Sequence, residues 1–280
     1  MAQLVTETIP ELAKFDENDL LAPINGKQKT TKGLANSVGG VGEEISLEPP
    51  VRQMQTQRSM LRPSRDVELT LTRLDPHLVA IHELEPQAVS QFNRLAISLI
   101  SGSARYPMKR VMMTSAHHGE GRTCVTLNLA AALARAKQRV LVIDADLRRP
   151  SVCRLLGIET EVGLAETVAL GLQPEAAITR ILPADFHVLP TRGQVENSAE
   201  LLSSQNFKRM LSELDSCYDF ILFDSTPLLT AADASLLGLV TTATLLVVRP
   251  GSTSSAEMSR SIALLNEEAF FGVVMNRVNA

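Results

Sequence analysis

The sequence has 280 residues, 45% of them hydrophobic, which is enough for one principal domain with a sizeable core. With 27 Lys and Arg against 31 Asp and Glu, its net charge of -4 gives no broad cationic surface and argues against DNA binding. The three cysteines have no short metal-ligand spacing and predict reduced thiols in a cytoplasmic protein. There is no signal-peptide pattern at the start, and the longest apolar stretch, 234–248, is too short and too polar to cross a bilayer. We therefore expect no direct membrane insertion.

In chain order, residues 1–75 come first and are polar and irregular, with scattered Pro, Gly, Gln, Thr and Ser. Such a segment buries too little apolar surface to offset its conformational entropy. It predicts a disordered or linker N-terminal segment with at most one short helix, near residues 9–15. The next stretch, DPHLVAIHE at 75–83, predicts a short extended piece, and residues 86–100 predict a helix packed beside the main domain.

From residue 110 onward, short runs rich in Val and Ile alternate with longer helical patterns. The runs are VMMTS, VLVIDA, FHVLP, FILFD, TLLVV and FGVVMN, and helices are predicted at 123–136, 199–214 and 255–268. Continuous apolar strands between helices are typical of a parallel sheet covered on both faces. The sequence therefore predicts an α/β, doubly wound, mostly parallel sheet over residues 76–280.

The first chemistry-bearing motif is AHHGEGRT at 116–123, between a predicted strand and a predicted helix. A loop in this place aims backbone N–H groups and a helix N-terminus at phosphate oxygens, and Thr123 is a natural Mg²⁺ ligand. Two positions depart from the usual P-loop pattern: Ala116 replaces the first glycine and Arg122 replaces the lysine. Because guanidinium is larger and planar, nucleotide binding is a firmer expectation than fast phosphoryl transfer. The alternative is an ordinary glycine-rich turn.

The second motif is VLVIDADLRRP at 140–150, in which Asp144 and Asp146 follow a buried strand. Ligand sites of α/β sheets lie at this edge, and carboxylates there need a cation as compensation. They predict a Mg²⁺ site or a base for a phosphate acceptor. The following Arg148 and Arg149 could face phosphate or a partner's acidic group. Surface ion pairing at the strand end is the alternative for both the acidic pair and the arginines.

The third motif is FILFDSTPLL at 220–229, which places Asp224 at the end of another apolar strand. A carboxylate there can hold the shell of a magnesium ion through water. A glycine-rich loop and acidic residues on three strand ends together predict a P-loop domain that binds Mg-ATP.

In these three motifs the sequence resembles the bacterial tyrosine kinases of capsule and exopolysaccharide synthesis, which are relatives of the MinD and ParA ATPases. AHHGEGRT is similar to their Walker A motif, VLVIDADLRRP to their Walker A′ motif, and FILFDSTP to their Walker B motif. The similar phrasing continues through GLAET, NSAELLSS, AADA, LLVVRPG and GVVMNRV, and covers roughly residue 75 to the C-terminus.

The resemblance implies a cytoplasmic ATP-dependent protein-tyrosine kinase that works with a membrane-embedded chain-length regulator. It also implies a role for individual residues. The expected metal-binding residues are Thr123, Asp144 and Asp224. The expected catalytic residues are Asp144, Asp146 as the candidate base, and Arg122. The expected nucleotide-binding residues are Gly119, Glu120, Gly121, Arg122, Thr123, Cys124, Asn276 and Arg277.

Two features depart from the family pattern. Its members usually end in a tyrosine-rich tail that they phosphorylate, whereas this sequence ends in NRVNA and has two tyrosines, Tyr106 and Tyr218. Phosphorylation of such a tail is therefore not expected for this sequence. The stretch SQFNRLA at 90–96, which matches the family's oligomerisation motif, has lost the acid and both aligned arginines. A homo-oligomer is possible, but a ring held by those ion pairs is not expected.

Two alternatives stay open from the sequence. A MinD- or ParA-type positioning ATPase would carry a second lysine early in the phosphate loop, where Ser115 or Ala116 stands here. A scaffold that binds nucleotide without catalysis would fit Arg122 and both departures from the family pattern.

Overall fold

One sheet of nine strands runs through the computed structural model, which describes residues 2–5, 61–83, 85–104 and 106–277. In chain order the strands are β1 (Ala2–Val5), β2 (Arg65–Glu68), β3 (Arg110–Ser115), β4 (Val140–Asp144), β5 (Thr179–Leu182), β6 (Phe186–Leu189), β7 (Phe220–Asp224), β8 (Ala243–Val248) and β9 (Phe270–Asn276). They are ordered β1-β9-β8-β3-β7-β4-β6-β5-β2 across the sheet.

The helices of the described residues are α1 (Val79–His82), α2 (Pro86–Ser103), α3 (Arg122–Arg135), α4 (Val152–Leu156), α5 (Leu164–Leu170), α6 (Ser198–Ser203), α7 (Gln205–Asp215), α8 (Asp233–Gly238) and α9 (Ser255–Ile262). Two short 3₁₀ turns, Pro174–Ala176 and Glu267–Ala269, complete the elements.

The fold prediction is confirmed. All six predicted strands are present, and the pairs β3·β7, β3·β8, β4·β7, β4·β6 and β8·β9 are parallel. The sheet separates two clusters of buried apolar side chains, with Val111 and Val142 in one and Met112 and Leu141 in the other. Because successive residues of a strand point to opposite faces, these central strands are buried on both sides.

Two predicted helices differ from the observed ones, and the piece predicted to be extended contains a short helix. The segment 199–214 holds two helices, because Ser204 is extended between α6 and α7 and caps α7. The helix predicted at 255–268 ends at Ile262. Within 75–83, α1 replaces the expected extended piece, and the Asn128 side chain accepts the backbone N–H of Ala80 at 2.7 Å. That contact joins residues 48 positions apart, which no local pattern reveals.

Three strands, the two edge strands β1 and β2 and the neighbouring β5, were absent from the sequence-based prediction. β5 pairs antiparallel with β6, β2 pairs parallel with β5, and β1 pairs antiparallel with β9. β1 and β2 fall inside 1–75, the segment for which a linker is predicted. The rest of that prediction, including the short helix near 9–15, lies outside the described residues.

In the part of the chain that the structure describes, none of the helices combines the length and the apolar character that a membrane crossing requires.

Candidate nucleotide-binding site

The three motifs meet at one edge of the sheet because their strands are neighbours. β7 lies between β3 and β4, all three run parallel, and each ends at its motif. Asp144 and Asp224 are register partners, so their Cα atoms face each other across adjacent strands. The carboxyl ends of parallel strands are where such sheets bind ligands.

The phosphate loop owes its shape to two glycines. Gly119 and Gly121 have φ angles of 83° and 93°, in the left-handed region that residues with a Cβ avoid. Gly121 also caps α3, whose first turn begins at Arg122. The first N–H groups of a helix have no partner within it, so the loop and α3 together present donors for an anion.

Arg122 is 7% exposed, and its guanidinium bonds to protein atoms on several sides. It donates to the backbone oxygen of Ser225 at 2.7 Å and to Ser115 Oγ at 2.6 Å. It also donates to the backbone oxygen of His117 at 3.0 Å and to Asp146 Oδ2 at 3.1 Å. The side chain therefore joins β3, the phosphate loop, the segment after β7 and the segment after β4.

Asp144 and Asp224 are fully buried carboxylates, and each has one oxygen without a hydrogen-bond partner in the part of the chain that the structure describes. Asp144 Oδ2 accepts the N–H groups of Ser151 and Val152, and Asp224 Oδ2 accepts the Thr123 hydroxyl at 2.6 Å. Within the described residues, the Oδ1 atom of each has no hydrogen bond. Burial raises the pKa of Asp224 to about 7, and burial together with the Asp224 charge raises the pKa of Asp144 well above its usual range. Two unsatisfied buried acids in register are the arrangement that a cation stabilises.

Asp146, the candidate base, is held on both oxygens. Oδ2 accepts from Arg122, and Oδ1 accepts the backbone N–H of Arg149 at 3.0 Å. Of the two arginines that follow, Arg148 forms a two-pronged pair with the buried Asp233 of α8, at 2.9 and 3.2 Å. Arg148 therefore forms the ion pair that was one of the two predicted alternatives. The Arg149 side chain is exposed.

A second set of bonds ties the phosphate loop to the segment after β8. The buried Glu120 carboxylate accepts the His117 N–H at 2.9 Å and the Thr253 hydroxyl. The His117 ring, in turn, contacts Glu257 Oε1 at 2.9 Å. Hydrogen bonds from Ser254, together with the His117 contact, lower the pKa of Glu257 to about 2, so this acid stays ionised.

A small cavity of about 130 Å³ opens beside the loop, between α2, α3 and the end of β9. Cys124, Asn276 and Arg277 line it, and Asn276 donates to the backbone oxygen of Glu120 at 2.9 Å. The family resemblance predicts that the adenine of the nucleotide binds near Asn276 and Arg277. Burial raises the pKa of the Cys124 thiol to about 11, which makes it a poor nucleophile.

The residues predicted from the sequence thus form one connected set. Thr123 bonds to Asp224, Arg122 to Asp146, and Asn276 to Glu120. Four participants were missed: Ser151, Ser225, Thr253 and Glu257. The string Ser254-x-x-Glu257 signals the start of α9, a capping box that is present. No local signal shows that this helix start meets a loop about 140 residues earlier in the chain, as the His117–Glu257 contact does.

Comparison with known proteins agrees with this geometry. The family described as "AAA domain" matches residues 108–257. Tyrosine-protein kinase YwqD of Bacillus subtilis is 32% identical over 207 residues, which are 73% of this chain and 87% of YwqD. Tyrosine-protein kinase etk of Escherichia coli K12 is 32% identical over 71% of this chain, but the match spans only 28% of etk.

A solved structure, the kinase domain of the E. coli tyrosine kinase ETK, is similar to this chain in fold and in sequence. It has a TM-score of 0.68 and 31% identity, and the match covers 73% of this chain and 81% of that domain. The P-loop architecture, the convergence of the three motifs and these similarities lead to one conclusion. The chain belongs to the bacterial tyrosine kinase family and is closely similar to the catalytic domains of the kinases of capsular and exopolysaccharide synthesis.

Proposed function

We propose that this protein binds Mg-ATP at the ends of β3, β4 and β7 and is a slow protein-tyrosine kinase. The observation that supports this proposal best is the pair of Oδ1 atoms on the buried Asp144 and Asp224 that have no hydrogen bond among the described residues, with the Thr123 hydroxyl bonded to Asp224. This pair fits a hard divalent cation bound through oxygen.

A magnesium ion at this place would neutralise charge on the phosphates and on the two acids. In the described part of the chain, no three His, Cys, Asp or Glu side chains converge as a complete metal cage. This agrees with a site where protein carboxylates supply a few ligands and the nucleotide and water supply the rest.

Slow turnover follows from the contacts of Arg122. A P-loop lysine places one mobile positive charge at the β- and γ-phosphates. The Arg122 guanidinium instead donates hydrogen bonds to protein atoms of Ser225, Ser115, His117 and Asp146. Its pairing with Asp146 also opposes a role for that carboxylate as a base, because proton acceptance would break the ion pair. The N–H groups of the loop can still bind the nucleotide, but the phosphoryl group is stabilised less while it is transferred.

The proposal is tested by measuring nucleotide binding and phosphoryl transfer separately. Calorimetric titration with a non-hydrolysable ATP analogue should show binding that needs Mg²⁺ and is lost in Asp144→Asn. Transfer of labelled phosphate to a tyrosine-containing polymer should be slow in the wild type and about tenfold faster or more in Arg122→Lys, a barrier change of about 1.4 kcal/mol. The exposed Arg260→Lys is the matched control and should change neither quantity. Absence of any nucleotide binding would end the proposal.

A scaffold that binds nucleotide without catalysis is the second candidate, and the internal bonding of Arg122 favours it. The two candidates differ in the Arg122→Lys variant. Binding without transfer in both forms would support the scaffold, and a gain of transfer would support the kinase. A MinD- or ParA-type positioning ATPase is less favoured. Such ATPases carry a second lysine early in the phosphate loop, and Ser115, at one of the two positions that could correspond to it, donates a hydrogen bond to the backbone oxygen of His117.

We further propose that the protein is cytoplasmic and acts in capsular or exopolysaccharide synthesis at the inner face of the membrane, bound to a membrane chain-length regulator. This setting is the one that the family resemblance implies, and the similarity to the tyrosine-protein kinases YwqD and etk supports membership of that family. Co-purification with the cytoplasmic tail of a regulator encoded beside its gene tests it. Failure to bind that tail, with nucleotide binding intact, would reject the partner and leave the ATP site standing.

A further inference from the structure

A second cavity lies at the opposite end of the sheet from the phosphate loop. Its volume is about 450 Å³, and it is bordered by Val140, where β4 begins, and by Tyr218, just before β7. Pockets that bind small molecules usually have volumes of about 300–1,000 Å³. Among the residues that the structure describes, none that lines this cavity belongs to the nucleotide site.

Four basic side chains and two acidic ones, Asp66 and Asp185, line this cavity, so its rim carries excess positive charge. Two of the four basic side chains are paired: Arg139 with Asp219, and Arg180 with Asp185 at 2.7 Å. The other two, Arg62 and Lys137, are exposed and have no carboxylate partner within the described residues. Two unpaired cations at the mouth of a cavity favour an anion.

The floor is neutral and largely apolar. Tyr218 is buried, and its hydroxyl bonds to His187 Nδ1 at 2.7 Å, with the two rings 5.5 Å apart and nearly perpendicular. Burial, with the nearby Arg180 charge, lowers the pKa of His187 to about 4, so this pair is uncharged at neutral pH. Ala134, Val140 and Leu61 add apolar wall.

Backbone conformation supports a functional interpretation. Lys137 and Asp185 both line the cavity and both have a positive φ, of 63° and 59°, although neither is glycine. Lys137 follows the last turn of α3, a place where glycine is the usual residue. The left-handed conformation costs about 1–2 kcal/mol for a residue with a Cβ, and such residues cluster at binding sites.

We propose that this cavity binds a small organic anion. The acidic group, a carboxylate, sulfonate or phosphate, is held between Arg62 and Lys137, and an apolar or aromatic body packs on the Tyr218–His187 pair. The site is separate from the nucleotide site and does not depend on the proposed kinase activity.

Binding of 1-anilinonaphthalene-8-sulfonate, an anion with an aromatic body, tests the proposal by fluorescence titration. The full-length protein should bind the probe equally well with and without saturating Mg-ATP. The double variant Arg62→Gln/Lys137→Gln should raise the Kd about tenfold or more. The exposed pair Arg192→Gln/Lys208→Gln removes the same charge elsewhere and should leave the Kd unchanged.

Two further measurements keep the test decisive if the double variant folds poorly. N-phenyl-1-naphthylamine, which lacks the sulfonate, should bind the wild type at least tenfold more weakly. In NMR spectra the ring resonances of His187 should shift on addition of the sulfonate probe, while those of His117 and His118 stay in place. Displacement of the probe by Mg-ATP, equal affinity for the uncharged analogue, or an unmoved His187 resonance would overturn the proposal.

Discussion

Asp144 and Asp224 make the apo protein sensitive to pH through their burial. Asp224 has a pKa of about 7 in the folded protein against 3.8 as the ordinary value. Folding therefore favours its protonated form, and its contribution to stability is fully present below about pH 4 and is lost as the pH rises through about 7. A bound cation would reverse this preference by favouring both carboxylates in their charged form.

We expect Asp224→Asn to be more stable than the wild type at pH 8 in the absence of Mg²⁺. Asn keeps an oxygen that can accept the Thr123 hydroxyl but never ionises. The difference in unfolding free energy should grow between pH 4 and pH 7 and reach on the order of 4 kcal/mol, from about three pKa units at 1.36 kcal/mol each. Urea unfolding in EDTA at several pH values measures it, with the exposed Glu213→Gln as control. A difference that does not vary with pH would contradict the assignment.

The Tyr218 hydroxyl offers a second test at the residue scale. Tyr218→Phe leaves the half-buried His187 without the partner that its Nδ1 atom has at 2.7 Å. We expect a loss of about 1–2 kcal/mol in unfolding free energy, the usual cost of an unsatisfied buried polar atom. Tyr106→Phe is the matched control, because Tyr106 is 72% exposed and should tolerate the change. Equal stability of the two variants would show that the bond contributes nothing.

At the scale of single elements, the sequence predicted the buried strands best. Continuous apolar runs such as FILFD and TLLVV are buried at every position in β7 and β8, so their pattern and their environment agree. β5 alternates buried and half-buried residues, and β2 is mostly exposed. These short strands depend on the neighbours to which they pair, which no local pattern contains.

The break between α6 and α7 follows from a single side chain. Ser204 Oγ accepts the N–H of Phe207 at 3.1 Å, which favours a new helix start over a continuous helix. We expect Ser204→Ala to lower the unfolding free energy by about 1 kcal/mol. Ser212→Ala in the exposed middle of α7 is the control and should change it by less than about 0.5 kcal/mol. Chemical denaturation of both variants measures the effect, and an unaffected Ser204→Ala would mean that packing alone sets the break.

For the molecule as a whole, the sequence predicted where the site lies but not which side-chain contacts hold its parts together. Strand-end motifs predict convergence because parallel strands share an edge. The bond from Arg122 to Ser225 and the bonds from Glu120 and His117 to residues after β8 join positions more than 100 residues apart. Side-chain partners at that separation follow from the assembled fold and not from spacing.

Nucleotide should stabilise the entire domain, since a ligand that binds only the folded state adds to its stability. At a hundred times its Kd, Mg-ATP should add about 2.7 kcal/mol. This corresponds to an increase in Tm of roughly 5–10 °C for a domain of this size. Thermal unfolding followed by circular dichroism measures the shift, which EDTA should reduce and Asp144→Asn should abolish. An equal shift in that variant would place the nucleotide elsewhere.

The close approach of Asn276 to the phosphate loop links two positions at opposite ends of the motif series. A Cβ at position 121 would lie 2.0 Å from the Asn276 side-chain nitrogen, at a φ of 93° that already disfavours any side chain. After random mutagenesis of codon 121, we therefore expect every variant that keeps the folded site to have glycine at this position. A shorter residue at position 276 in the same variant would remove the collision but would not change the φ angle at position 121. Libraries that vary both positions should therefore still contain almost only glycine at position 121.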